Sequence, residues 1–128
     1  SAEGDLSPEF APYQISIPPH KMHDVMAFAD LVIADSQSMI VESAVLGIPS
    51  IRCNTFVGRA PVIEHLEHRY KLTKGFLPDQ ETALFSHLNT LLSEKDIKDL
   101  WAERRAQFLA ETIDLTPWIV DLIEKIEK

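Results

Sequence analysis

The chain has 128 residues, the length of one domain, and its 45% hydrophobic residues suffice for a buried core. Its 20 acidic and 12 basic residues give a net charge of −8, which argues against binding to nucleic acid. No apolar run approaches the roughly 20 residues of a transmembrane helix, and no signal-peptide pattern opens the sequence. A single cysteine, Cys53, excludes an internal disulfide and a thiol-rich metal site. We therefore expect a soluble cytoplasmic protein.

Apolar patterning predicts strands that alternate with helices, followed by helices alone. In chain order, we expect a strand at 13–17, a helix at 20–29, a strand at 31–34, a helix at 38–46, a strand at 50–53, a helix at 61–69, a strand at 72–76 and helices from residue 79 onward. The apolar run at 31–34 is typical of a strand buried on both faces. Ser36 offers a capping side chain for the next helix, and Gly47 suits the end of that helix.

Apolar stripes predict which helical residues face the core. The first stripe is Leu84, Leu88, Leu91 and Leu92, and the second is Ile97, Leu100, Trp101 and Phe108. We expect Trp101 and Phe108 to be core residues rather than a platform for a ligand. Thr116 is expected to cap a last helix. The residues of that helix expected to face inward are Ile119, Leu122, Ile123 and Ile126.

The alternation of strands and helices predicts an α/β fold, in which helices flank a parallel, Rossmann-like sheet. We expect residues 1–128 to form a single domain, of which 79–128 are the helical C-terminal part. Three or four strands are fewer than the roughly five or six of a doubly wound sheet. We therefore expect a fragment of a larger domain, truncated at its N-terminal side. The resulting open sheet edge would be available to a second copy, as in a homodimer, or to another partner.

Positive charge is concentrated in one segment of the chain. Residues 52–74 carry five basic and two acidic side chains, whereas residues 1–51 and 79–128 are both strongly acidic. A basic segment in an acidic chain can hold a small anion. The alternative is an ordinary solvated helix face.

The strongest candidate for chemistry is residues 35–38 (DSQS), where a buried strand is predicted to end and a helix to begin. Unpaired backbone N–H groups and the positive end of the helix dipole suit a phosphate there, and the Ser36 and Ser38 hydroxyls would add donors. Glu42 follows Ser38 by one helical turn on the same face, where a carboxylate can accept hydrogen bonds from two sugar hydroxyls. Alternatively, Ser36 only caps the helix and Glu42 is an ordinary surface residue.

Residues 29–38 (ADLVIADSQS), Glu42 and residues 46–49 (LGIP) resemble the C-terminal domain of GT-B-type sugar-nucleotide enzymes. The chain is most similar to the non-hydrolysing UDP-N-acetylglucosamine 2-epimerases and to related glycosyltransferase-like proteins, over about residues 15–60. The resemblance implies two Rossmann-like domains that enclose a nucleoside-diphosphate sugar, with the nucleotide held by the C-terminal one. The N-terminal domain of such an enzyme would be missing from this chain.

The resemblance also implies roles for individual residues. Backbone N–H groups of the turn Ser36, Gln37 and Ser38 would hold the diphosphate. Glu42 would bind the ribose hydroxyls, and Arg59 would contact the phosphates. Further candidate nucleotide-binding residues are His20 and Met22, in a loop near the base, and Arg52 and Asn54. The implied ligand is a nucleotide sugar, in the first instance a UDP-sugar, and neither a metal nor a separate cofactor is expected.

The epimerases usually have two glycines where this chain has Gln37 and Ser38, whose side chains narrow the space for a phosphate. We therefore favour a glycosyltransferase of polysaccharide or glycoconjugate biosynthesis, with an epimerase as the alternative. The family's acid and base residues lie mostly before this segment, so the catalytic residues are unknown and we expect the chain alone to be inactive. A non-catalytic binding module that keeps the fold is a further alternative.

Two other interpretations of the polar residues have less support. Ser36 lacks the flanking glycines of a hydrolase nucleophile elbow. The pairs His20/His23 and His65/His68 are spaced three residues apart, as two ligands on one helix face would be. No carboxylate or thiol completes a set of metal ligands, so we expect solvated histidines.

Overall fold

The computed structural model describes residues 7–126. Its strands are β1 (Val32–Ala34), β2 (Ser50–Cys53) and β3 (Thr73–Phe76). Its α-helices are α1 (Met22–Ala27), α2 (Gln37–Leu46), α3 (Pro61–His68), α4 (Glu81–Ser93), α5 (Ile97–Ala110) and α6 (Leu115–Ile126). Two short 3-10 helices, Pro8–Tyr13 and Pro19–Lys21, precede α1.

The three strands form one parallel sheet in the order β1-β2-β3. Ile33 of β1 is level with Ile51 of β2, which is level with Lys74 of β3. α2 and α3 connect the successive strands, and α2 packs on β1, β2 and α3. The predicted α/β class, with helices that flank a parallel, Rossmann-like sheet, is therefore confirmed. Because parallel strands all end at the same edge, the segments that follow β1 and β2 lie next to each other there.

The core brings together residues from α2, α3, α4, α5 and the sheet. Its buried residues are Ala44, Ile51, Leu66, Tyr70, Leu72, Phe76, Leu91 and Trp101. The indole Nε1 of Trp101 donates to the Leu72 carbonyl at 3.0 Å, so the polar atom of this buried side chain is satisfied. Phe108 packs against the same core, with its ring centroid 5.2 Å from that of Tyr70. The prediction that Trp101 and Phe108 are core residues is therefore confirmed.

The predicted strand at 13–17 is wrong. Residues 8–13 form a 3-10 helix, and residues 14–18 belong to no helix or strand. Tyr13 is 81% exposed and Ile15 is 55% exposed, so within residues 7–126 the alternating pattern has neither a neighbouring strand nor a core to pack on. β1 also differs from its prediction, because Ile33 is 49% exposed and the strand is therefore not buried on both faces.

The predicted inward face of the last helix is also wrong. Every residue of α6 is exposed, including the four apolar residues expected to face the core, Ile119, Leu122, Ile123 and Ile126. Periodicity shows which residues share a face, but it does not show that another element covers that face. The capping contact also differs, because the Thr116 N–H donates to the Asp114 carboxylate at 3.1 Å. No helix within residues 7–126 is long and apolar enough to cross a membrane.

Candidate functional site

The turn between β1 and α2 is built as the sequence predicts. Ser36 is the N-cap of α2, and its hydroxyl accepts a hydrogen bond from the Met39 N–H at 3.4 Å. The Ser36 and Ser38 hydroxyls are 3.1 Å apart. Gly47 ends the helix with φ of 78°, a left-handed conformation that costs glycine little. The first turn of α2 therefore begins directly at the carboxyl end of a parallel strand, with its positive dipole end toward that edge.

A cavity of about 330 Å³ lies between the first turns of α2 and α3. Its wall is formed by Gln37, Ser38, Val41, Ala60, Pro61, Val62 and Ile63. The N-cap of α3, Ala60, has no side chain that can cap the helix, and Pro61 in the first turn has no N–H to satisfy. Two helix N-termini therefore face one concave space, and both contribute positive potential to it.

Asn54 connects the two segments that follow β1 and β2. Its Nδ2 donates to the Asp35 carbonyl at 2.6 Å, and its Oδ1 accepts from the Phe56 N–H at 2.9 Å. These two hydrogen bonds hold the loop of residues 54–60 against the Ser36–Ser38 turn. Asn54, a predicted nucleotide-binding residue, therefore uses its side chain to position this loop at the edge of the sheet.

Arg52 and Glu64 also hold this loop in place, through Gly58. The Arg52 guanidinium has no exposed surface, and its Nη2 donates to Glu64 Oε1 at 2.6 Å. Gly58 in the loop donates its N–H to the same oxygen at 2.9 Å, and its φ of 81° lies in the region that favours glycine. Burial acts to raise the pKa of Glu64, but hydrogen bonds from Arg52 and Gly58 outweigh burial and leave that pKa lowered. Because it is enclosed, the Arg52 guanidinium orders the loop and presents no donor at the surface.

Arg59 lies in this loop, between Gly58 and α3. Its backbone N–H donates to the Phe56 carbonyl at 3.0 Å, and its side chain is exposed. Among residues 7–126, no hydrogen bond or ion pair involves the Arg59 guanidinium. The chain therefore carries an exposed, unpaired guanidinium on a loop that Asn54 and Glu64 hold in place.

Glu42 lies on α2 but outside the wall of the cavity. Its carboxylate is 3.3 Å from His23 Nε2 of α1, and the Glu42 side chain is 37% exposed. α1, which begins at Met22, packs on α2, and the 3-10 helix that contains His20 packs on α1. Glu42 is therefore paired with His23 rather than placed in the wall of the α2–α3 cavity, and within residues 7–126 no hydrogen bond or ion pair joins it to His20 or Met22.

Sequence reasoning missed two of the carboxylate contacts at this site. The sequence predicts Glu64 only as part of a helix, and it does not predict the contact of Glu42 with His23. The one available signal for Glu64 was a carboxylate in a segment rich in arginine and lysine. One histidine of each pair has a carboxylate partner: His68 Nε2 lies 3.1 Å from Glu64, and His23 Nε2 lies 3.3 Å from Glu42. Within the described part of the chain, no three metal-ligating side chains lie close enough together to hold a metal ion.

Comparison of the chain with protein-family models, with curated proteins and with solved structures gave no match. The assignment of a function therefore depends on the residues and on the geometry described above.

Proposed function

We propose that this domain is the nucleotide-sugar-binding half of a GT-B-like glycosyltransferase that uses a UDP-sugar. One observation carries the proposal. The Ser36-capped N-terminus of α2 opens, at the carboxyl edge of a parallel sheet, onto a cavity of about 330 Å³ that it shares with the N-terminus of α3. In open α/β sheets, ligands typically bind at this edge, and helix N-termini there favour phosphate.

In this proposal, the diphosphate lies at the first turn of α2, beside Gln37 and Ser38. Backbone N–H groups of that turn donate to the phosphate oxygens, and the exposed Arg59 guanidinium supplies a full positive charge from the loop. Charge accumulates on the diphosphate as the glycosidic bond to it breaks. Donors fixed in advance around that charge stabilise the transition state without further reorganisation.

The nucleoside would extend along the other side of α2, toward α1. Glu42 accepts hydrogen bonds from the ribose hydroxyls, and His23 at 3.3 Å orients its carboxylate. His20 and Met22 then lie nearest the base. Fixing the nucleoside in this way positions the reacting sugar, which is the contribution to catalysis expected from this half. The acceptor-binding residues and the acid and base residues would belong to the N-terminal domain of the complete enzyme.

The proposal is tested by calorimetric titration of the protein with UDP, with uridine and GDP as comparison ligands. We expect UDP to bind more tightly than uridine, and we expect Arg59→Gln to weaken UDP binding roughly tenfold, as for one lost charge-assisted hydrogen bond. Uridine binding should be unchanged in that variant. The matched control is Lys98→Gln, which removes an exposed positive charge that pairs with Asp30. Equal affinities for UDP and uridine in the parent protein would overturn the proposal.

A further inference from the structure

A second cavity, of about 400 Å³, lies at the other end of α3 from the α2–α3 cavity. It is enclosed by the last turn of α3, the beginning of β3, and residues of α4 and α5. The side chains in its wall that carry or can carry charge are Glu67, His68, Lys71, Lys74, His87 and Arg104. We call it the basic cavity.

The charge of the basic cavity is unbalanced. Its one carboxylate, Glu67, is fully engaged: Oε1 pairs with Lys74 Nζ at 2.8 Å, and Oε2 accepts from the Gly75 N–H at 2.9 Å. Lys71 and Arg104 have no carboxylate partner within residues 7–126. Two positive charges are therefore left over in one concave space, although the chain as a whole carries a net charge of −8. An anion is the ligand that this arrangement attracts.

The Arg104 guanidinium is held in a fixed orientation. It lies 4.3 Å from the centre of the Trp101 ring, and its Nη1 donates to the Lys71 carbonyl at 2.8 Å. A guanidinium has five N–H donors in a planar fork, so the others are free to bind an anion. The backbone of Lys71 has a φ of 56°, which residues other than glycine rarely adopt. The bond from Arg104 to the Lys71 carbonyl supports this conformation.

We propose that the basic cavity binds a small phosphate-bearing anion, through Lys71 and Arg104. The volume of about 400 Å³ lies within the range of small-molecule sites and can accommodate a phosphorylated sugar. The planar guanidinium suits two phosphate oxygens at once, and the lysine adds a mobile point charge. This site is separate from the proposed nucleotide site, because the two cavities share no residue and lie at opposite ends of α3.

His87 of α4 provides a reporter inside the cavity. Burial, and then the positive charge of Lys74, lower the pKa of its imidazole. A bound phosphate would reverse the second of these effects and raise the pKa of His87. The charged groups that act on this imidazole are Lys74 of β3, which lowers its pKa, and Glu67 of α3, which raises it. The other titratable side chains that line the cavity are His68, Lys71 and Arg104.

The experiment is an NMR titration of the His87 imidazole in the complete protein with inorganic phosphate, with potassium chloride at matched ionic strength as the control. We expect a saturable shift with phosphate alone, weakened by added salt, and a raised pKa of His87 in the complex. Ribose 5-phosphate and ribose extend the series. Tighter binding of the ester than of free phosphate would identify a phosphorylated small molecule as the preferred ligand, whereas equal binding would identify phosphate itself.

Lys71→Gly is the decisive variant. It removes one cation and relieves the positive φ, so the fold is retained, and we expect phosphate to bind roughly tenfold more weakly. Lys98→Gln, on the exposed face of α5, should bind phosphate as the parent does. Arg59→Gln should weaken UDP binding but leave the His87 response to phosphate unchanged, which separates the two sites. A response no larger with phosphate than with chloride, or identical phosphate affinities in Lys71→Gly and the parent, would overturn the proposal.

Discussion

The two edge strands of the sheet, β1 and β3, differ in the side-chain contacts that they receive. At β3, the carboxylate of Glu67 accepts the Gly75 N–H and pairs with Lys74, while Trp101 of α5 binds the Leu72 carbonyl just before the strand. Within residues 7–126, β1 pairs with β2 alone, and its Ile33 is 49% exposed. An unpaired edge invites association, and proteins commonly protect one with charges or with a covering helix. Side-chain hydrogen bonds therefore reach the backbone at and just before β3, whereas among residues 7–126 no side chain forms a hydrogen bond with the backbone of β1.

The largest expected effect is on stability, when one apolar side chain in each edge strand is replaced by alanine. Phe76→Ala in β3 should lower the free energy of unfolding by about 3–5 kcal/mol, because a buried ring is replaced by a cavity. Ile33→Ala in β1 should lower it by about 1 kcal/mol or less, because half of that side chain is already in water. Denaturant unfolding of both variants measures the difference. Similar losses in the two variants would show that β1 is as well covered as β3.

The protecting carboxylate can be tested directly. Glu67→Ala should cost about 2–3 kcal/mol, because it leaves the Gly75 N–H and Lys74 without their partner. Glu67→Gln keeps an acceptor oxygen for the Gly75 N–H, so it should cost less than the alanine variant. The control is Glu124→Ala on the exposed surface of α6, which should change stability by less than about 0.5 kcal/mol. An equally small change in Glu67→Ala would mean that this carboxylate does not stabilise the β3 edge.

The smallest effect is expected from pH, through the contact that joins the end of α3 to the end of α5. Hydrogen bonds from Arg69, then from Gln107 and Tyr70, lower the pKa of Glu111 from 4.5 to about 2. A lowered carboxyl pKa stabilises the fold above the pKa of the unfolded chain. This contribution is lost as pH falls from about 4.5 to about 2.

Urea unfolding across that pH range measures the effect. Glu111→Gln should show a smaller decrease in stability on acidification than the parent, whereas Glu124→Gln should show the parent's decrease. The Glu111 side chain contacts Arg69 and Tyr70, just after α3, rather than β1, so Ile33→Ala should leave the pH dependence unchanged. A pH profile of Glu111→Gln that coincided with the parent's would contradict the role given to this carboxylate.

Local signals in the sequence predicted the site's backbone well. The apolar run that forms β1, the Ser36 cap and Gly47 all act within a few residues, so their consequences can be derived from neighbouring positions. The predictions that failed depend on contacts between residues that are distant in the sequence. Residues 13–17 alternate as a strand does, and α6 has an apolar face, but whether another element covers such residues depends on tertiary contacts. The contacts of Glu42 with His23 and of Arg52 with Glu64 depend in the same way on how helices pack.

Gly75 has a consequence for how this sequence can vary. A Cβ at that position would lie 3.0 Å from Arg52 Nη2 and 3.1 Å from Glu67 Oε2. Both of those side chains are buried and engaged in charged hydrogen bonds, so a shift of either one would strain those bonds. Replacement of this glycine alone is therefore expected to lower the stability of the fold. Acceptable sequences would change positions 52, 67 and 75 together, for example by exchanging the buried charges for apolar side chains when a larger residue enters β3. These three positions would then covary among descendants of this sequence, although they lie on different elements of the fold.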